Sequence, residues 1–125
     1  MTINKYEKTQ RSLYEAFTKF LVGFAKKAKT KEEEKIMVSM AKEVWNISYF
    51  NEEAQEEEIE EFINSLKIEE SKLSIYRNMM IQGIRDKKKA TKNYDLKDVW
   101  TRVEDLKVWK VADNYKIEFQ LDFYE

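Results

Sequence analysis

Between Glu52 and Glu61 seven of ten residues are glutamate, the densest concentration of ionisable groups in the chain. Carboxylates at that density offer two kinds of chemistry. They can hold hard cations through oxygen, or they can meet a basic surface electrostatically. Other catalytic currencies are missing, because the 125 residues include no histidine and no cysteine. Histidine is the side chain that titrates near neutrality and cysteine supplies the reactive thiolate, so serine and cysteine triads of the usual kind and zinc centres are excluded. The two glycines, Gly23 and Gly83, lie in neither a GxGxxG nor a GxxxxGK setting, which removes the common phosphate-cradling loops.

Within the cluster, Glu56, Glu57 and Glu60 form an EExxE pattern. It resembles the segment with which all-helical nucleotide pyrophosphohydrolases of the MazG type help hold magnesium. That resemblance implies magnesium-dependent nucleotide hydrolysis as a remote alternative. The same enzymes use an ExxD on a neighbouring helix, and no ExxD follows here. No metal or cofactor is therefore expected, and the protein is not expected to be an enzyme. The favoured role for Glu53, Glu56, Glu57, Glu60 and Glu61 is contact with a partner, as an acidic helix face entering a basic groove, set against the plain role of a solvated face.

Two further groups qualify as contact surfaces. Trp45, Tyr49 and Phe50 are three large aromatics within six residues at a helix end, suited either to closing the core or to anchoring an interface. Arg85, Lys87, Lys88, Lys89 and Lys92 form a basic segment near Tyr94 and Trp100, which supports nucleic-acid binding as the alternative function. Asp86, Asp95 and Asp98 interrupt it, and lysines already suit the negative end of a helix. Met37, Met40, Met79 and Met80, at helical spacing, are expected in the core.

The elements that must position these groups follow from periodicity. Leu13, Phe17, Phe20, Leu21 and Phe24 recur at spacings of three and four, which predicts a helix over about 4–28. Thr30 with Glu33 is a capping-box pattern opening a second helix, with Ile36, Met37, Met40, Ala41, Val44 and Ile47 inward, ending near Tyr49. Asn51 is suited to cap a third helix with Ile59, Phe62, Ile63 and Leu66 inward. A fourth is expected over about 69–88 on Leu73, Tyr76, Met80 and Ile84, with Lys87 and Lys88 at its negative end. The absence of proline suits such uninterrupted helices.

Beyond residue 92 the period changes, and a short helical turn is expected over 95–99. From Tyr115 to Phe123 apolar and polar residues alternate, the mark of a half-buried strand. The preceding Val103–Val111 run is apolar, and Asp113-Asn114 suits a two-residue turn. In that register Leu106 faces Leu121, Val108 faces Phe119 and, unfavourably, Asp105 faces Asp122. A lone hairpin is marginal in water, so its apolar face must lie against the helices or against a second copy, which would make a homodimer.

The expected fold is α+β: an antiparallel bundle of about four helices followed by a C-terminal β-hairpin packed on it. One domain spans 1–125, with the bundle over 1–90, a connector over 91–101 and the hairpin over 102–125. A net charge of −1 gives no global pull towards nucleic acid or membrane. The polar N-terminus has no apolar leader, which predicts a soluble cytoplasmic protein that meets no membrane. The expected function is a non-catalytic interaction protein that binds a macromolecular partner stoichiometrically, as inhibitor, immunity-type or adaptor proteins do. The lysine, glutamate, asparagine and isoleucine bias points to an AT-rich genome, and small proteins of this build are common on mobile elements, so a phage or mobile-element origin is expected.

Overall fold

The computed structural model describes residues 5–92 and 100–124. Four helices, α1 (Lys5–Ala25), α2 (Lys31–Ile47), α3 (Glu52–Ser65) and α4 (Glu70–Thr91), precede strands β1 (Trp100–Val111) and β2 (Asn114–Tyr124). The expected α+β architecture is present, with the hairpin packed on the helices. The turn expected over 95–99 lies outside the described residues.

Local chemistry sets the helix starts. Thr30 Oγ1 accepts from the Glu33 N–H at 3.1 Å, and Glu33 Oε2 accepts in return from the Lys29 N–H at 2.8 Å, one residue earlier than the usual reciprocal bond. Asn51 Oδ1 accepts from the Ala54 N–H at 2.9 Å and opens α3.

The inward stripes are those the periodicity predicts. Leu13, Phe17, Leu21 and Phe24 of α1 pack on Met37, Met40, Ala41 and Val44 of α2, with Ile59 and Ile63 of α3 and Tyr76, Met80 and Ile84 of α4 completing the core. Full burial of each such large side chain contributes roughly 1.5–3 kcal/mol. Central to this arrangement is α2, which packs against α1, α3, α4 and β1. Gly83 belongs to the same packing: a Cβ there would stand 2.8 Å from Phe24 Cζ and 3.1 Å from Val44 Cγ1, so its lack of a side chain lets α4 approach.

The hairpin differs from its predicted register. Val111 pairs with Asn114, so Ala112 and Asp113 form the turn, one residue earlier than expected. Ala112, the first residue of the turn, takes φ 56°, the positive φ that the primed hairpin turns require and whose twist suits the strands. Val108 now faces Ile117, and a bulge between Glu104 and Lys107 sets Asp105 and Leu106 against the single residue Phe119. Asp105 carries φ 53°, which Asp tolerates. Beyond the bulge Val103 faces Leu121, and Asp122 meets Arg102 instead of Asp105. The Asp105–Asp122 clash of the simpler register is thereby avoided, and Asp122 lies instead against Glu104.

The helices cover the apolar face of the sheet. Phe119 stacks on Tyr14 (centroids 4.4 Å apart) and meets Phe17 edge-on at 4.7 Å, and the Tyr14 hydroxyl donates to the Phe119 carbonyl at 3.0 Å. Near the tip the Tyr115 hydroxyl donates to Glu34 Oε2 at 2.8 Å. No helix among the described residues is long and apolar enough to cross a membrane.

Candidate functional site

The seven glutamates of α3 do not share one face. Glu53, Glu56, Glu57, Glu60 and Glu61 are exposed and, with Asn64, form one open face along the helix. Glu58 turns the other way. This face is held in place by what lies beneath it: Ile59 and Ile63 are buried, Asn51 caps the start, and Gln55 Nε2 reaches the carbonyls of Ile47, Ser48 and Phe50 at 3.4, 3.2 and 2.9 Å. Of the five, Glu60 alone has a cation, Arg77 of α4, which donates to it through Nε and, at 3.0 Å, through Nη2. That bond holds the Glu60 carboxyl below the usual carboxylate range. The other four have no hydrogen bond or ion pair among the described residues. No group of three or more carboxylates among those residues is placed to hold a metal ion.

Glu58 instead belongs to a second acidic arrangement that the composition did not single out. It lies with Glu43, Asn46, Ile47, Phe50 and Arg102 around a cavity of about 220 Å³ between α2, α3 and β1. Burial, then the charge of Glu58 and a hydrogen bond with it, pushes the Glu43 carboxyl up, against the pull of Arg102. Arg102 also pairs with Glu104 at 3.3 Å, and a hydrogen bond with Asp122 raises the Glu104 carboxyl in turn. One guanidinium thus serves two carboxyl pairs. Glu43 could have been found from the sequence only by knowing that α2 and α3 meet there.

The aromatic trio divides. Trp45 is wholly buried, with Phe17 and Phe20 edge-on at 5.2 and 5.8 Å, so it closes the core and presents nothing to a partner. Its place beside the Val44 stripe puts it under α1. Tyr49 and Phe50 are half-buried. The Tyr49 hydroxyl shares a 2.7 Å hydrogen bond with Thr101 Oγ1 of β1, and burial raises its phenol in opposition to that bond. Next to it Asn46 binds both backbone groups of Val103, donating to the carbonyl at 3.1 Å and accepting from the N–H at 2.8 Å.

The basic segment divides too. Arg85, Lys88, Lys89 and Lys92 are exposed, whereas Lys87 is inside, with 3% of its surface accessible. It can neither meet a phosphate nor sit at the solvated end of its own helix. Positions 76, 80, 84 and 87 continue one stripe, so the i+3/i+4 spacing itself carries Lys87 inward. Its Nζ donates to Ser48 Oγ at 2.7 Å and stands over the rings of Tyr49 (3.4 Å to the centroid) and Trp45 (4.8 Å).

Among known proteins, no family model, no curated protein and no solved structure matches this chain.

Proposed function

We propose that this protein is a non-catalytic binding protein whose contact surface is the acidic face of α3, directed at a basic surface on a macromolecular partner. The observation that carries this reading is the set of four exposed carboxylates, Glu53, Glu56, Glu57 and Glu61, left without cations among the described residues on a helix capped at its start and pinned to the core. A fixed array of one charge sign attracts a complementary surface over about a Debye length, ~8 Å at physiological ionic strength, and orients the encounter. Preorganisation lowers the ordering cost of the contact. Inhibitor, immunity-type and adaptor proteins, including those of phages and mobile elements, work by such stoichiometric occupation, and a cytoplasmic setting suits the lack of cysteine.

Affinity purification from the native cell, with bound species identified by mass spectrometry and sequencing, tests it. A protein recovered in fixed molar ratio is the expected result. Recovery of nucleic acid alone would transfer the function to the exposed Arg85, Lys88, Lys89 and Lys92 at the end of α4.

A further inference from the structure

Lys87 lies where four elements converge on the segment 47–51 that joins α2 to α3. Gln55 of α3 binds the carbonyls of that segment, Tyr49 within it holds Thr101 of β1, and Lys87 of α4 holds its Ser48. Of the groups facing the amine, α2 supplies Trp45 and the joining segment Ser48 and Tyr49, of which Tyr49 alone titrates, with its hydroxyl engaged by Thr101. On α4 Lys88 adds a like charge; α3 and β1 bring the uncharged Gln55 and Thr101 to the segment, and also Glu58 and Arg102, which with Glu43 of α2 meet Ile47 and Phe50 at the neighbouring cavity and are not among the charges that shift the amine. From α1, Phe17 and Phe20 close the far side of Trp45. Among the described residues no carboxylate lies within ion-pair distance of Nζ.

A buried ammonium without a counter-ion is costly. The two ring faces and the C-terminal end of α2 offset part of that cost. Burial prevails, assisted by Lys88, and draws the amine from its ordinary 10.5 to about 7.

We propose that residues 47–51 form a proton-gated elbow, closed around a neutral Lys87 amine and opened when that side chain moves into water and takes up a proton. Opened, Lys87 is hydrated and binds its proton up to about 10.5; closed, it does so only below about 7. Between those limits the open form carries one more proton, so the open-to-closed ratio rises tenfold for each unit of falling pH, and it levels off below about 7. Opening releases the Ser48 and Tyr49 contacts together, and with them the start of α3.

Hydrogen exchange on the full chain, read as protection factors of the Phe50 and Gln55 amides between pH 7 and 9, tests this directly. The first of these amides bonds to the Ile47 carbonyl within the elbow and the second to the Asn51 carbonyl at the start of α3. The expected result is about tenfold more protection per pH unit in the wild type and none of that slope in Lys87→Met. Protection independent of pH, or the same slope in Lys87→Met, overturns the proposal. If Lys87→Met does not fold, the wild-type exchange slope is compared with a carbon-13 titration of the Lys87 ε-carbon: a slope that levels off below the same midpoint, near 7, supports the elbow, and a slope that runs on past it, or a midpoint near the ordinary 10.5, overturns it.

Discussion

Lys87 Nζ stands 3.4 Å from the centroid of the Tyr49 ring, a contact that joins the ends of α2 and α4. Its energy depends on whether the amine is charged, since a desolvated cation on an aromatic face contributes about 2 kcal/mol and a neutral amine far less. Tyr49→Phe keeps the ring but abandons Thr101, which is fully buried, at a cost of about 1–3 kcal/mol. Tyr49→Leu loses the ring as well. Chemical denaturation at two pH values separates the terms: the gap between the Phe and Leu variants is expected to be wider at pH 6, where Lys87 is charged, than at pH 9, where it is neutral.

Asn46 is the rivet between α2 and β1. Asn46→Ala leaves the Val103 N–H and carbonyl buried without partners, and is expected to cost about 2–5 kcal/mol. Urea unfolding measures the loss, and the Val103 amide should lose its exchange protection first.

The two glycines are expected to respond in opposite directions to alanine. Gly23 is exposed, and a methyl group added there would meet nothing within 4 Å, so Gly23→Ala gains up to ~1 kcal/mol of helix propensity. At Gly83 the same gain is outweighed by overpacking against Phe24 and Val44, typically ~1–3 kcal/mol, for a net loss of about 1 kcal/mol. Thermal melts of the two variants side by side test the contrast.

Ala112 holds a left-handed backbone, at a cost of roughly 1–2 kcal/mol for a residue with a Cβ. Ala112→Gly removes that strain and adds the ~0.5–1 kcal/mol entropy penalty of glycine, so a small net stabilisation is expected in the same melts.

The helices could be read from the sequence because their apolar residues repeat at three and four and their caps are local: Thr30, Asn51 and the four stripes all stand where periodicity places them. The hairpin register could not, since Asp113-Asn114 is better turn chemistry than Ala112-Asp113. Tertiary demands win there, because only the earlier turn with a bulge at Asp105 puts Val103, Phe119 and Leu121 inward together. The exposed acidic face was also legible, since i,i+4 spacing sets Glu53, Glu57 and Glu61 in one row. Residue type alone makes Lys87 a surface cation, whereas its position on the α4 stripe already places it inside. Which end of which helix receives it depends on how α2 and α4 meet, and no local pattern records that.

The acidic face of α3 is most directly tested by charge reversal at residues that bear no structural bond. Glu57→Lys with Glu61→Lys spares the Glu60–Arg77 pair and the buried Ile59 and Ile63, so the double variant should fold as the wild type does. Captured in parallel from native-cell extract, the wild type should retain a protein partner at fixed stoichiometry and the folded double variant should lose it. Equal recovery of the same partner by both would contradict the assignment of α3 as the binding face.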